Sequence, residues 1–237
     1  MSDIRFNFAT KKVLVVGGSR GIGKEVCKQF LSSGAEVYCV ARTPCDIQNI
    51  NNHICDISKK IEIEKIFQKI HDIDFCINAA GTNLCETIEN ISEDEWDRVL
   101  DINLKSFYLI CKKVVEIMKT KGGGRIINIS SIAGRNKSLV SGVHYTASKY
   151  GVIGLTKQLS KEVSKFNILV NCVCPSQTDT EMLKKSMNTS QLKRLEQSIP
   201  LGRVAKTREQ ALPILFLCSE GASYITGTAI DINGGQL

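Results

Sequence analysis

The sequence contains no apolar run that approaches the roughly 18 residues needed to span a membrane. Its first ten residues carry charges and no long apolar stretch, so we expect no secretion signal. Repeats, low-complexity tracts and Pro/Ser-rich linkers are also absent, and only 4 of the 237 residues are proline. These absences predict one domain over residues 1–237 without a membrane segment, because this length suits a single α/β core and is too short for a separate substrate domain.

Cysteine pairs with metal-ligand spacing are missing as well, although the chain has 10 cysteines. Most stand singly in apolar strand and helix patterns, as Cys39, Cys76 and Cys218 do. Cys172 and Cys174 have no second Cys/His pair nearby, so no metal site is expected. Buried, reduced thiols in a cytoplasmic protein are the simpler interpretation.

No aromatic-plus-basic platform accompanies the net charge of +7, so we expect no nucleic-acid partner. Basic residues cluster within the ranges 112–121 and 184–194. Such a surface favours anionic substrates or is only a solvated face, and the sequence leaves both interpretations open.

A glycine-rich turn follows the first apolar run, Val13–Val16, which is typical of a strand buried in a parallel sheet. Gly17, Gly21 and Gly23 form this turn, and apolar residues at helical spacing come next. A strand, turn and helix in this order present backbone N–H groups and the positive end of a helix dipole to an anion. Since glycine lets a pyrophosphate approach the backbone closely, the pattern predicts a dinucleotide site.

The next predicted strand, residues 36–41, does not end in the acidic residue that selects NAD by binding the adenosine ribose. Arg42 follows it instead, and Arg20 lies in the glycine loop. Two guanidinium groups can hold a 2′-phosphate through charge-assisted hydrogen bonds, so this pair predicts NADP(H) as the cofactor. The alternative is that Arg42 only ends a strand at the surface.

Tyr145 and Lys149 stand four residues apart and therefore share one face of a predicted helix. A free phenol has a pKa of about 10. A fixed positive charge nearby favours the phenolate and lowers that pKa, towards the range in which general acid–base catalysis is efficient. The spacing predicts a tyrosine proton donor activated by Lys149, with a solvated helical pair as the alternative.

With these motifs in order along nearly the whole chain, the sequence resembles the short-chain dehydrogenase/reductase family. The resemblance implies a Rossmann-type, doubly wound parallel sheet of about seven strands flanked by helices, which the alternation of predicted strands and helices also favours. It implies a catalytic tetrad of Asn103, Ser131, Tyr145 and Lys149. Together with the glycine and arginine patterns, it predicts cofactor contacts at Gly17, Ser19, Arg20, Gly21, Ile22, Gly23, Arg42, Asp56, Ile57, Asn78, Ala79, Gly81, Tyr145, Lys149, Pro175, Thr178 and Thr180.

The reaction that the resemblance implies is hydride transfer between a nicotinamide and a substrate carbonyl or secondary alcohol. Ser131 would hydrogen-bond the substrate oxygen, and Tyr145 would deliver the proton. Lys149 would lower the pKa of the tyrosine and hold the nicotinamide ribose, while Asn103 would hold a water that replaces the proton. Ser130, the neighbour of the predicted catalytic serine, receives no role.

Some positions depart from the family pattern. Ala79 replaces the second asparagine of Asn-Asn-Ala-Gly, Ser176 replaces a common glycine, and Thr178 stands where an apolar residue is usual. The last two would add polar contacts beside the nicotinamide. Residues 42–51 leave hardly any room for the helix that the family commonly carries there, which predicts a short crossover loop.

Residues 180–200 are predicted to form a substrate lid, because they carry apolar residues at near-helical spacing where the family varies with substrate. Helices around residues 95–119 and 145–165 resemble those that pair subunits in the family, so a homotetramer or homodimer is expected. His144 is not assigned to the site, since adjacent residues point about 100° apart on a helix.

The resemblance extends to 3-oxoacyl-(acyl-carrier-protein) reductases and small carbonyl reductases, which implies an NADPH-dependent ketoreductase acting on a 3-oxoacyl thioester or a small ketone. Acyl carrier protein is then a candidate partner, although residues 122–124 are glycines where those reductases often carry basic residues. A sugar or nucleotide-sugar ketoreductase is the alternative that the polar residues Ser141, Ser176, Gln177 and Thr178 favour. A non-catalytic NADP-binding regulator is disfavoured, because the complete tetrad is present.

Overall fold

Seven strands form one parallel sheet in the order β3-β2-β1-β4-β5-β6-β7. The protein is seen here in a computed structural model, which describes residues 5–138, 140–181, 183 and 188–237. This order, which reverses between β1 and β4, is that of the doubly wound α/β fold, so the predicted fold class is confirmed. The strands are β1 (Lys12–Val16), β2 (Glu36–Ala41), β3 (Asn51–Ile54), β4 (Phe75–Asn78), β5 (Gly124–Ile129), β6 (Ile168–Pro175) and β7 (Ala229–Ile232).

Helices cover both faces of the sheet. Successive residues of a strand point to opposite faces. Val13 and Val15 pack in one apolar core with the helices of residues 21–32 and 207–218, whereas Leu14 and Val16 pack in a second core with the helices of residues 60–67 and 106–121. No helix within the described ranges is both long enough and apolar enough to cross a bilayer. The α-helices of these ranges are α1 (Gly21–Ser32), α2 (Lys60–Phe67), α3 (Glu93–Leu100), α4 (Ser106–Lys121), α5 (Val143–Val163), α6 (Thr189–Gln197) and α7 (Thr207–Cys218).

Gly23 determines how closely α1 lies against the turn that follows β1. A Cβ on residue 23 would stand 2.2 Å from the carbonyl oxygen of Gly17 and 3.2 Å from the Cβ of Ala79. We expect Gly23→Ala to lower the free energy of unfolding by about 3 kcal/mol, because the backbone must shift to admit the methyl group. Urea unfolding followed by circular dichroism measures this change.

The matched control is Gly154→Ala, on the exposed face of α5. A Cβ there would have no heavy atom of the described residues within 4 Å, and alanine favours a helix over glycine by about 1 kcal/mol. Equal stability of Gly23→Ala and the wild type would contradict the close contact between α1 and Gly17.

The connection from β2 to β3 contains neither helix nor strand over residues 42–50, which confirms the predicted short crossover loop. Asn52 closes this loop with two hydrogen bonds to the backbone of Cys45. The Cys45 N–H donates to Asn52 Oδ1 at 2.8 Å, and Asn52 Nδ2 donates to the Cys45 carbonyl at 3.1 Å. The loop therefore keeps a fixed shape without a helix of its own.

The predicted lid over residues 180–200 falls partly outside the described residues, which omit 182 and 184–187. From Asn188 onward the chain is described, and α6 begins there with a capping box between Asn188 and Gln191. Leu195 and Ile199 are buried, and the Leu201 N–H donates to the carbonyl of Gly234 at 3.2 Å. This end of the segment is thus packed against the turn that follows β7.

Candidate active site

The predicted motifs meet at one edge of the sheet. Strands β1, β4 and β5 are parallel neighbours in register, so Val16 lies beside Asn78, which lies beside Asn128. The glycine loop, the 79–81 segment and the Ser131 turn begin directly after these three strands. Ligands of open parallel sheets bind at this carboxyl edge, where the strand order reverses.

Ser131 begins a single 3₁₀ turn that ends at Gly134, directly after β5. Its Oγ accepts a hydrogen bond from the Ala133 N–H at 3.1 Å, which fixes the oxygen while the hydroxyl proton remains able to donate. A Cβ on Gly134 would stand 2.7 Å from the carbonyl oxygen of Lys149, so the turn packs directly on α5. Ser130 donates its hydroxyl to that same carbonyl at 2.8 Å, and thus holds α5 in place.

Tyr145 lies on the first turn of α5, with its phenol near the side chain of Ser131. Burial raises the pKa of the phenol above its usual value, and the interaction with Ser131 lowers it by less. The Nζ of Lys149 lies 5.5 Å from the centre of the tyrosine ring and donates to the Ile129 carbonyl instead. The prediction that Lys149 lowers the pKa of Tyr145 is therefore wrong for this structure, because desolvation raises that pKa and Lys149 is not among the groups that lower it.

Lys149 lies one turn further along α5, and only 3% of it is exposed. Its Nζ donates to the Ile129 carbonyl at 2.9 Å and lies 5.7 Å from the centre of the Phe107 ring. Burial lowers the pKa of Lys149 to about 8. A lysine with such a pKa exchanges its proton close to neutral pH, which suits a group that relays protons.

Asn103 lies in a π-helical turn over residues 101–105, between α3 and α4. Such turns occur frequently at functional sites. The side chain is fully buried, and it clamps the backbone of Thr82: Oδ1 accepts from the N–H at 2.8 Å and Nδ2 donates to the carbonyl at 2.9 Å. Asn103 therefore fixes the chain that follows Gly81.

Ser148 is a residue to which the sequence assigned no role. Its Oγ accepts a hydrogen bond from Asn103 Nδ2 at 3.1 Å and donates to the carbonyl of Tyr145 at 2.6 Å. It thereby joins the π-helical turn to the first turn of α5. The sequence could have predicted one of these bonds from the three-residue spacing of Tyr145 and Ser148, because serine in a helix often donates to the carbonyl three or four residues earlier.

Two predicted cofactor contacts have side chains that are buried below the site. Asn78 Nδ2 donates to Asn128 Oδ1 at 2.8 Å, and Asn128 Nδ2 donates to the hydroxyl of Thr156 at 2.9 Å. The side chain of Ile57 packs in the apolar core under α2 and α4. The side chains of Asn78 and Ile57 hold the sheet and core together, so their assignment as cofactor ligands stays a prediction that concerns their backbone atoms.

The start of α1 is suited to an anion. The helix begins at Gly21 with no side-chain hydrogen bond to its N-terminus and no acidic residue in its first turn, so its dipole is uncompensated there. Among the described residues, a Cβ on Gly21 would meet only the side chain of Thr180, at 3.5 Å, and a Cβ on Gly81 would stand 3.7 Å from both Asn103 Oδ1 and Lys149 Nζ. These open approaches to the backbone fit a dinucleotide that extends from the glycine loop to Lys149.

Other residues of the glycine loop have different surroundings. A Cβ on Gly17 would stand 2.6 Å from the Cα of Ala80, so the loop lies against the 79–81 segment. Ser19 accepts a hydrogen bond from the hydroxyl of Thr43 at 3.3 Å. Ile22 packs against the apolar core and stays partly exposed, so its contact with the cofactor remains a prediction.

Arg20 and Arg42 are exposed near the end of β2. Asp56 lies close enough to Arg42 for the positive charge of the arginine to lower the pKa of the carboxyl. Burial raises the pKa of the Asp56 carboxyl, but hydrogen bonds from Ser58 and the charges of Lys59 and Arg42 together lower it below the usual value. An ionised carboxylate and two guanidinium groups fit the amine and phosphate of an adenosine 2′-phosphate.

The segment after β6 is tied to β7 and to the start of α7. The Ser176 N–H donates to the carbonyl of Ile232 at 3.1 Å, and Thr178 forms a parallel bridge with Ala205. The hydroxyl of Thr178 donates to the Ser176 carbonyl at 3.0 Å, and only 6% of the residue is exposed. Thr178 thus braces the segment, whereas the sequence predicted a polar contact at the pocket.

His144 is completely buried next to Tyr145. Its ring covers Gly142, where a Cβ would stand 2.6 Å from Cε1, and its Nε2 lies 4.0 Å from Glu95 Oε1. Glu95 is held by two hydrogen bonds of 2.7 Å from Arg98. This packing against α3 agrees with the prediction that His144 faces away from the catalytic residues.

A carbonyl oxygen within reach of Ser131 and Tyr145 would lie at the edge of the sheet where this fold binds nucleotides. A serine, a tyrosine and a lysine placed together beside a nucleotide-binding edge define a nicotinamide-dependent oxidoreductase. The chain belongs to the short-chain dehydrogenase/reductase family, since a model of that family described as Enoyl-(Acyl carrier protein) reductase matches residues 16–236.

Curated relatives cover almost the whole chain. The 3-oxoacyl-[acyl-carrier-protein] reductase of Chlamydia trachomatis is 37% identical over 242 residues, which cover 95% of this chain and 97% of that protein. The enzyme of the same name from Vibrio cholerae is 34% identical over 242 residues, covering 97% and 98%.

Solved structures with the same fold include two oxidoreductases of different substrates. Actinorhodin polyketide ketoreductase with NADPH superposes with a TM-score of 0.91 at 27% identity, covering 97% of this chain and 99% of that one. The ligand-free aldohexose dehydrogenase of Thermoplasma acidophilum gives a TM-score of 0.88 at 28% identity, covering 96% and 94%.

Proposed function

We propose that this protein is an NADPH-dependent ketoreductase that reduces the carbonyl of a 3-oxoacyl thioester or a small ketone. The observation that carries the proposal is the contact between Ser131 and Tyr145 at the carboxyl edge of the sheet, with Lys149 on the same helix face. The names of its relatives support the thioester, and the NADPH-bound ketoreductase of the same fold supports the cofactor.

A bound nicotinamide supplies the hydride in this chemistry. The residues of this chain handle the oxygen that becomes negative as the carbonyl is reduced. Ser131, whose Oγ already accepts from the Ala133 N–H, donates its proton to that oxygen and orients the carbonyl. Tyr145 transfers its phenolic proton to the same oxygen, and its raised pKa keeps that proton in place at neutral pH.

Lys149 restores the proton of Tyr145. A buried amine with a pKa of about 8 is a better acid than an exposed lysine, because burial destabilises its charged form. Asn103 and Ser148 hold the backbone on both sides of the site, at Thr82 and Tyr145. The proposed cofactor ligands are the glycine loop, Arg20, Arg42, Asp56, the 79–81 segment, Tyr145, Lys149, Pro175 and Thr180, with Asn78 and Ile57 contributing backbone only.

NADPH selectivity is proposed to depend on Arg42. We expect Arg42→Gln to raise the KM for NADPH by about 10- to 100-fold, because a charge-assisted hydrogen bond to a phosphate contributes about 1.5–3 kcal/mol. The KM for NADH, which lacks the 2′-phosphate, should stay within about twofold. Steady-state kinetics with both cofactors measures the change.

Lys165→Gln is the control for this substitution, since it removes one exposed positive charge just before β6, at the opposite edge of the sheet. It should change neither KM. Equal effects of Arg42→Gln on NADPH and NADH would show that the arginine does not read the 2′-phosphate.

The proposal extends to partners. Acyl carrier protein would deliver the thioester, although residues 122–124 give the turn after α4 no basic side chain. A homotetramer or homodimer is supported by the exposed aromatic residues Trp96, Tyr108 and Tyr150 on helices α3, α4 and α5. A reducing cytoplasm suits the ten cysteines, which are all free and of which nine are buried.

The experiment that tests the function is NADPH oxidation followed at 340 nm with a panel of carbonyl compounds. The panel contains an acetoacetyl thioester, its acyl-carrier-protein form, simple diketones and keto-sugars, free or nucleotide-linked. Turnover of the thioester would support the proposal. No turnover with any compound, despite tight NADPH binding by calorimetry, would contradict it and favour a non-catalytic regulator.

A ketoreductase of sugars or nucleotide sugars is the second candidate. The fold match to an aldohexose dehydrogenase favours it, as do the partly exposed polar residues Ser141, Ser176 and Gln177. Thr178 contributes less to this candidate than its sequence suggested, because its hydroxyl is bonded within the segment. Preferential turnover of keto-sugars in the same panel would establish it.

A further inference from the structure

An exposed ion pair spans the sheet edge beside the Ser131 turn. Arg135 Nε lies 3.1 Å from Asp231 Oδ1, and Arg135 Nη2 donates to Asp231 Oδ2 at 3.1 Å. Two parallel contacts of this kind fix direction as well as distance. Arg135 follows the turn that Ser131 begins, and Asp231 lies in β7, so the pair joins two segments that are 96 positions apart in the chain.

The pair crosses over a strand. β5, which leads into Ser131, and β7 are separated in the sheet by β6, and Asp231 pairs in register with Cys174 of that strand. The last ladder contact of β5 is the hydrogen bond from the Ser130 N–H to the carbonyl of Val173, 2.9 Å long. Beyond this point, Ser131 and its turn are no longer held by the sheet.

The inner and outer sides of the turn are held differently. On the inner side, the backbone of Gly134 lies against the carbonyl of Lys149. On the outer side, Arg135 reaches β7, and the hydrogen bonds that the next residues donate are short-range, from Asn136 to Ile132 and from Lys137 to Asn136. Among the described residues, the ion pair is thus the contact that attaches the outer side of the turn to a distant part of the chain, strand β7.

The other end of the pair is connected to the segment after β6. Ile232, the residue after Asp231, accepts hydrogen bonds from the Ser176 N–H at 3.1 Å and from Gln210 Nε2 at 3.1 Å. Through β7, the Ser131 turn and the 175–178 segment are attached to the same strand. In the proposed function, the first segment carries Ser131, which binds the substrate oxygen, and the second carries Pro175, a proposed cofactor ligand.

We propose that Arg135 and Asp231 are positioning residues, which fix the Ser131 hydroxyl relative to the segment that follows β6. This inference rests on the proposed function for the role of Ser131. A small displacement of a positioned donor lowers the rate of the chemical step without weakening cofactor binding, because the binding contacts lie elsewhere. The pair therefore acts on kcat.

Asp231→Asn and Arg135→Met test this proposal by kinetics. Each should lower kcat by about 10-fold, with the Kd for NADPH within about twofold. An exposed ion pair contributes about 0.2–1 kcal/mol to stability, so the melting temperature should fall by no more than about 4 °C. The double variant should be no slower than either single variant, because both remove one interaction.

Arg135→Lys and Arg203→Lys are the matched controls. Lysine keeps the charge of residue 135 but cannot form the two-point contact, so Arg135→Lys should lose part of the activity. Arg203 forms a similar two-point pair with Glu209, at 2.7 and 2.8 Å, and Arg203→Lys should keep the wild-type kcat. Wild-type kcat in Asp231→Asn and Arg135→Met would overturn the proposal, as would a loss of kcat that follows a loss of NADPH binding.

Hydrogen exchange of backbone amides tests the same proposal without a substrate. The amides of Gly134 and Arg135 donate within the turn, and the amide of Ser176 donates to β7. In Asp231→Asn all three should exchange about 2- to 5-fold faster, since the pair contributes at most about 1 kcal/mol, whereas Arg203→Lys should leave them unchanged. If the wild type reduces no carbonyl, the proposed function fails, but the exchange rates still test the positioning role of the ion pair. Unchanged exchange rates in Asp231→Asn would show that Arg135 and Asp231 do not fix the Ser131 turn and the 175–178 segment.

Discussion

Replacing Tyr145 by phenylalanine should lower kcat by about 1,000-fold or more, because positioned general acid catalysis contributes about 10²- to 10⁴-fold and this residue is the proposed proton donor. The ring that packs beside Lys149 stays in place, so NADPH should bind within about threefold of the wild type. Only the hydroxyl that meets Ser131 is lost. Stopped-flow reduction of the best substrate and calorimetric titration of NADPH measure the two effects separately.

The control is Tyr150→Phe, which removes a hydroxyl from the same helix at a residue that is 49% exposed. It should keep the wild-type kcat. A folded Tyr145→Phe protein that turns over at a near-normal rate would eliminate Tyr145 as the proton donor, and with it the proposed mechanism.

Lys149→Met should lower kcat by about 100-fold or more and also weaken NADPH binding. The first effect follows because the proton of Tyr145 is no longer restored by a nearby acid. The second follows because Nζ lies at the open approach beside Gly81, where a cofactor ribose would lie. Lys157→Met, an exposed lysine on the same helix, should change neither quantity. Wild-type NADPH affinity and kcat in Lys149→Met would refute both assigned roles.

The same pair of proteins yields a stability prediction with a defined sign. Lys149 titrates with a pKa of about 8 in the folded protein and of about 10.4 in an unfolded chain. Between these two values the unfolded chain binds more protons, so the free energy of unfolding rises with pH. Burial of the charge destabilises the fold fully below pH 8, and this penalty disappears as the pH approaches 10.4.

We therefore expect the free energy of unfolding of the wild type, minus that of Lys149→Met, to rise by up to about 3 kcal/mol from pH 7 to pH 10. The difference cancels the other titrating groups, which both proteins share. Urea unfolding at a series of pH values measures it. A constant or falling difference would mean that Lys149 keeps an ordinary pKa in the folded protein.

The nucleotide end of the molecule was predictable because its signals are local. Four apolar residues before Gly17 predict a strand that is buried on both faces, and the structure places Val13 and Leu14 in opposite cores. The short distance from Arg42 to Asn51 excludes a helix by length alone, and the loop that was predicted there is present. In such cases the chain neighbours of a residue are also the cause of its conformation.

The catalytic residues were identified from spacing and resemblance, but their electrostatics were not. The i,i+4 spacing correctly places Tyr145 and Lys149 on one helix face. It carries no information on how much water reaches the phenol or where the ammonium points. The structure buries Lys149, leaves Tyr145 partly buried and directs Nζ to Ile129, and the desolvation of the phenol reverses the expected direction of the pKa of Tyr145.

The sequence by itself therefore determined the fold class, the family and the order of the motifs, because strand and helix periodicity and glycine spacing are properties of neighbouring residues. Only the tertiary structure decided that Asn78 bonds to Asn128 inside the sheet, that Ser148 bonds to Asn103, and that Arg135 meets Asp231. These contacts join residues 45 to 96 positions apart. Such pairs form because packing of the whole sheet brings strand ends together, which no local pattern encodes.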